Sequence, residues 1–149
     1  MAAEPLFVDS NVLAYAQLAE SPWHEPARQA LQQAAKAQRP LWISRQVIRE
    51  YAVIMSRPQT FAQPLSSAVL IKRIGYLQQH FQVADETAAV TAALLQLLEN
   101  YPIGGKQVHD ANLLATMQVQ GIRHLLTHNA KDFARFGDLL VVESLVNTA

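Results

Sequence analysis

The chain predicts an α/β domain built on a central parallel sheet, and three observations point there. Short apolar runs of three to five residues alternate with helical stretches of ten or more. The 149 residues make one domain's worth of chain, half hydrophobic and 16% charged, which is enough to bury a real core. No internal repeat, low-complexity tract or linker divides it, so a single domain over residues 1–149 is expected.

The elements follow in order. Leu6 to Val8 reads as a buried first strand, closed by Asp9. Ser10-Asn11 offer N-cap chemistry for a helix through Val12-Leu13-Ala14-Tyr15. Ser21-Pro22 open a second helix, Trp23 to about Gln38, and Leu41-Trp42-Ile43 form a strand closed by Ser44. The next helix runs to about Ser56 and stops before Pro58, because the residue ahead of a proline is pushed out of the helical region. Arg57 to Leu65 reads as loop, Ser66 to Gln79 as helix, and Phe81-Gln82-Val83 as a short strand. Glu86 to about Asn100, rich in Ala and Leu, is helical until Tyr101-Pro102-Ile103-Gly104-Gly105 breaks it. Gln107 to Gln120 is helical and ends at Gly121, a good C′ residue. His124 to Thr127 and Leu139 to Val142 are the last two strands, bringing the sheet to about five.

Twelve basic residues balance twelve acidic ones, so no global positive field holds nucleic acid and any such substrate needs a local basic rim. Without cysteines, disulfides and thiolate metal sites are excluded, and a reducing cytoplasm is the expected setting. Met1-Ala2-Ala3-Glu4-Pro5 lacks the basic start and apolar run of a signal peptide, and no stretch reaches the ~18 apolar residues of a membrane span.

Four acids stand where a carboxylate is awkward unless it has a job: Asp9, Glu50, Asp110 and Asp132. Oxygen donors gathered in this way suit Mg²⁺ or Mn²⁺. Each has a blander alternative. Asp9-Ser10-Asn11 is enough to cap a helix. Glu50 falls at the border between a buried face (Val47, Ile48, Tyr51, Ala52, Ile54, Met55) and a wet one (Arg45, Gln46, Arg49, Ser56), where a solvated residue is the common outcome. Asp110 heads the apolar stripe Leu113, Leu114, Met117 and is the strongest single signal, although backbone N–H groups of the helix's first turn could also satisfy it. Asp132 alone reads as a turn or helix-start residue. The five histidines match no zinc spacing, and Gly104-Gly105-Lys106 is too short for a phosphate loop.

Taken together, Val8-Asp9-Ser10-Asn11-Val12-Leu13, Glu50, His109-Asp110-Ala111-Asn112 and Leu126-Thr127-His128-Asn129-Ala130-Lys131-Asp132-Phe133 resemble the ordered motifs of the PIN domain, and most closely its VapC toxin subgroup. The resemblance covers nearly the whole chain. It implies a three-layer α/β/α domain with five parallel strands, and a Mg²⁺- or Mn²⁺-dependent endoribonuclease whose core acids correspond to Asp9, Glu50 and Asp110. The family's fourth acidic position falls after the fourth strand; Asn129 stands first there and Asp132 carries the charge. Thr127 resembles the hydroxyl residue that steadies such sites, and Asn11 one that lines them. The implied partners are RNA, a cognate antitoxin and a second copy of the chain, with no membrane. The helical stretch 11 to 37, bearing Leu13, Tyr15, Leu18 and Trp23, is either a surface for the protein partners or core.

Arg45, Arg49, Arg57, Lys106 and Lys131 lie near the acids in sequence and are candidates for phosphate contacts, although at least half would serve equally as solvated surface charges. Two rival functions stay open: another metal-dependent phosphotransfer domain, and a PIN-like binding module that has lost its metal, which Asn129 alone favours. A structural domain with four incidental acids is the remaining possibility.

Overall fold

The computed structural model describes residues 3–58, 60 and 65–145. Five strands form one parallel sheet: β1 (Leu6–Val8), β2 (Leu41–Ser44), β3 (Gln82–Ala84), β4 (His124–Thr127) and β5 (Val141–Ser144), in the order β3-β2-β1-β4-β5. Six α-helices are described: α1 (Ser10–Tyr15), α2 (His24–Lys36), α3 (Arg45–Ser56), α4 (Ser67–His80), α5 (Ala88–Asn100) and α6 (Gln107–Gln120). A 3₁₀ segment, Ala130–Leu139, joins β4 to β5. The layers stack α/β/α, as expected.

The local chemistry explains the boundaries. The β1 side chains are all buried, as befits a central strand covered on both faces. Ser44 Oγ accepts from the Val47 amide and Ser66 Oγ from the Val69 amide, so each serine starts a helix. Gly121, at φ 71°, supplies the left-handed residue that ends α6. Tyr51, Met55, Leu113, Leu114 and Met117 are fully buried and lock α3 and α6 into the core.

Several expectations shift. Asp9, rather than Ser10 or Asn11, caps α1, its side chain accepting from the Ser10 amide. Phe81 is the C-cap of α4, which moves β3 one residue on. β5 begins at Val141, because Leu139 belongs to the 3₁₀ segment that Phe133 and Phe136 anchor in the core. The 11–37 stretch is two helices, with Leu13 in the core. Of the expected 57–65 loop, Arg57, Pro58, Thr60 and Leu65 lie outside helix and strand, and the rest falls outside the described residues.

The strand order carries the functional consequence. The chain moves outward from β1 to β2 to β3, then returns to lay β4 on the other side of β1. The reversal point lies between β1 and β4, and in open parallel sheets ligands bind beyond the carboxyl ends of the strands at such a point. Asp9 and Thr127 stand there, and the Asp9 amide donates to the Leu126 carbonyl at 3.0 Å.

Edge strand β5 is tied to the sheet by charge. Arg39 donates through Nη1 and Nη2 to Glu143 Oε1 and Oε2 at 2.9 and 2.8 Å, and through Nε to the Glu4 carbonyl at 2.8 Å. His124 Nδ1 lies 2.9 Å from Glu143 Oε2. The guanidinium holds the Glu143 carboxyl below its ordinary range. Arg39→Met should therefore cost about 1–3 kcal/mol, read as a lower urea midpoint; an unchanged midpoint would remove this staple from the account.

Candidate active site

Four segments bring the polar residues together. Asp9 leaves β1 and is 7% exposed, and Thr127 closes β4 fully buried. Thr127 Oγ1 donates to Asp9 Oδ2 at 2.8 Å, while the Ser10 amide donates to Asp9 Oδ1 at 2.8 Å. Asn11 Nδ2 reaches Asp9 Oδ2 at 3.4 Å and Thr127 Oγ1 at 3.5 Å, and Asn11 Oδ1 accepts from the His128 amide at 3.1 Å. The Asn129 amide donates to Thr127 Oγ1 at 3.1 Å. Asp9, Asn11, Thr127 and the Asn129 backbone thus form one network across the switch point. Beside it the His128 ring packs against Trp23 and Tyr15, at centroid distances of 4.4 and 5.3 Å, with Nδ1 buried and unpartnered.

Glu50 and Asp110 complete the cluster from α3 and α6. Both are half-buried. Burial, then the charges of Asp9 and Asp110, push the Glu50 carboxyl up from 4.5 to about 7, against the opposing Gln46 hydrogen bond and Arg49 charge. Burial, then the charges of Asp132 and Asp9, push Asp110 up from 3.8 to about 6, with Arg135 opposing. Asp9 is also raised, chiefly by burial, despite four hydrogen bonds that favour its charged form. Asp9, Glu50 and Asp110 are therefore within electrostatic reach of one another, and Asp132 is within reach of Asp110. Asp110 stands in the first turn of α6, where the helix dipole favours its charge, but accepts no backbone N–H among the described residues. Asp132 places charge beside Asp110 even though Asn129 precedes it.

Among the described residues, no three His, Asp or Glu side chains are grouped tightly enough to close around an ion. The donors still fit Mg²⁺ or Mn²⁺ in kind. They are all oxygens, and burial and mutual repulsion disfavour the charged forms of Glu50 and Asp110, a cost that an arriving cation would relieve.

Three participants escaped the sequence reading. Gln46, assigned to the wet face of α3, is 4% exposed. Its Nε2 donates to Glu50 Oε1 at 3.0 Å and to the His109 carbonyl at 2.8 Å, while its Oε1 accepts from Asn112 Nδ2 at 2.8 Å. Asn112 is the second, and Arg135, whose charge is felt at Asp110, the third. The one available signal was that Gln46 lies a helical turn before Glu50. Of the basic candidates, Arg45 pairs with Asp85 at 3.0 Å and Arg49 with Glu86 at 2.8 Å, on the surface. Arg57, Lys106 and Lys131 form no ion pair among the described residues. Tyr15 and Trp23 are taken up by the His128 contact. The exposed apolar side chains instead include Val69, Ile71 and Tyr76 on α4 and Leu95 on α5.

Comparison with known proteins gives a consistent picture. The PIN domain family model matches residues 6–139. No match is found among curated proteins. The fold is similar to that of VapBC2 from Rickettsia felis, solved bound to a promoter DNA fragment, with 18% identity, TM-score 0.67, and 93% of this chain and 97% of that one covered. It is similar to Mycobacterium tuberculosis VapC20, described as a sarcin-ricin-loop-cleaving toxin, with 18% identity, TM-score 0.67 and coverage of 91% and 98%. A toxin–antitoxin complex from Klebsiella pneumoniae matches with 23% identity, TM-score 0.63 and coverage of 97% and 99%.

Proposed function

Because this chain belongs to the PIN domain family, a family of nucleases, we propose that it is a divalent-metal-dependent endoribonuclease, acting as the toxin of a toxin–antitoxin pair. What supports the reading is that Asp9 and Asp110 raise the Glu50 pKa, Asp9 and Asp132 raise that of Asp110, and burial raises that of Asp9, beside the switch point of the sheet. Charges arranged this way are unfavourable for the fold alone and favourable for a cation and the phosphate it neutralises.

Asp9, Glu50 and Asp110 would hold the ion. When bound, Mg²⁺ or Mn²⁺ supplies Lewis acidity at the scissile phosphate and makes water more acidic. Thr127 and Ser10 fix the Asp9 carboxylate from both oxygens, and the long contacts from Ser10 Oγ and Asn11 Nδ2, each 3.4 Å, are the ones a cation would displace. Asn11 joins Asp9 to the His128 amide and so sets the turn after β4. Asp132 and Asn129, in that turn, orient the attacking water. Arg57, Lys106, Lys131 and Arg135 are the basic groups best able to meet RNA phosphates, since Arg45 and Arg49 are already paired.

The solved neighbours include toxin–antitoxin complexes, which supports an antitoxin partner here, and a homodimer is proposed with it. No helix among the described residues is long and apolar enough to cross a membrane; a cytoplasmic setting is part of the proposal. Total RNA incubated with the purified protein should be cut in Mn²⁺, spared in excess EDTA, and cut again when Mn²⁺ is restored. RNA cut equally in EDTA, or untouched in all three, would contradict the reading.

A further inference from the structure

We propose that Gln46 is a positioning residue for the metal, holding the Glu50 carboxylate at a fixed separation from the turn of α6 that carries Asp110. The inference rests on the metal-dependent reading above and adds a residue to it.

The amide orientation is dictated by its neighbours. Nε2 faces the His109 carbonyl, an obligate acceptor, and the Glu50 carboxylate, an acceptor in its charged form, and Oε1 faces the Asn112 Nδ2 donor. A flipped amide would oppose oxygen to oxygen twice, so only one orientation satisfies the site. The clamp is also braced: Asn112 lies on α6, where Thr116 Oγ1 donates to its carbonyl at 3.0 Å. His109 immediately precedes Asp110, so the same Nε2 that grips Glu50 grips the peptide leading into the second acid.

Charge explains why a glutamine suits this place. A lysine or arginine so close to Glu50 would neutralise it and compete with a cation. A glutamate would add a further negative charge to the acids already crowded there. A buried neutral amide aligns the carboxylate through a donated hydrogen bond and leaves its charge for the ion, as groups behind metal ligands commonly do. Removing such a partner typically weakens metal binding by about 10–100-fold.

The experiment titrates Mn²⁺ into the full chain by calorimetry, for wild type and Gln46→Met, whose side chain has a similar length and no hydrogen-bonding amide. The Mn²⁺ dissociation constant should rise at least about tenfold. The Mn²⁺ needed for half-maximal RNA cleavage should rise in parallel, while KM for RNA at saturating Mn²⁺ stays near the wild-type value. A purely structural role would lower the melting temperature and leave the metal constant alone, and a folded Gln46→Met protein binding Mn²⁺ like wild type overturns the proposal. If that variant does not fold, Asn112→Ala removes only the brace on Oε1; it should weaken Mn²⁺ binding in the same direction by less, and unchanged binding is again fatal to the idea. A wild type that takes up no Mn²⁺ would overturn the underlying metal reading itself, which separates the two failures.

Discussion

Asp110→Asn is expected to lower Mn²⁺-dependent RNA cleavage by at least about a hundredfold and yet to give a well-folded protein. Asp110 sits at the start of α6, half-buried, with no backbone hydrogen bond among the described residues and with the charges of Asp132 and Asp9 against it. Its carboxylate makes no hydrogen bond to the helix among the described residues, so an amide of the same shape forfeits only the modest dipole interaction of the first turn and leaves the packing of Leu113, Leu114 and Met117 undisturbed. The variant does lose the negative charge that a divalent cation requires. Cleavage of a labelled RNA at saturating Mn²⁺, with circular dichroism as the folding control, measures both halves. Wild-type rates from a folded variant would end the assignment of Asp110.

The second large effect is on stability in the absence of metal. Glu50 and Asp110 have folded-state pKa values of about 7 and about 6, above their ordinary 4.5 and 3.8. The folded protein therefore binds these protons more tightly than the unfolded chain. Their protonated forms favour folding below the ordinary values, and that advantage is lost as pH rises through the folded ones. In EDTA, the melting temperature should fall by on the order of 5 °C between about pH 5 and pH 8. Saturating Mn²⁺ should restore it at the alkaline end, because the cation takes over the role of the protons. Glu143, held low by Arg39, has the opposite sign and matters only at more acid pH. In metal-free buffer at about pH 8, Asp110→Asn should melt above wild type, and the gap should shrink below about pH 6 and close towards about pH 4, near the ordinary value of an aspartate. A melting temperature independent of pH and of Mn²⁺ would mean that the acids do not repel one another as described.

Much of this architecture could be read along the chain because its boundaries are set by local chemistry. Ser44, Ser66 and Gly121 mark helix ends by hydrogen bonds and backbone conformation that depend on neighbours a few residues away. The 3₁₀ segment was harder to see. Its anchors Phe133 and Phe136 are surrounded by Lys131, Asp132, Arg135 and Asp138, a composition that reads as turn. The site divides in the same way. A carboxylate at the end of an apolar strand or at the head of an apolar stripe stands out by itself, which is why Asp9 and Asp110 were visible. Thr127 could be matched only through family resemblance, since the bond that gives it meaning spans 118 positions. Gln46 was misplaced because a polar amide on a helix wheel is assigned to water, and only the arrival of α6 against α3 buries it. Arg135 was passed over because its relation to Asp110 depends on how the 3₁₀ segment folds back after β4.

On the proposed function, Asp9 at the end of β1, Glu50 on α3 and Asp110 on α6 share one divalent cation. Calorimetric titration of Mn²⁺ into wild type, Asp9→Asn, Glu50→Gln and Asp110→Asn tests it most directly. Saturable uptake by the wild type and a marked loss of affinity in each of the three variants are expected. Wild-type affinity retained in all three folded variants would show that these residues do not form a common metal site.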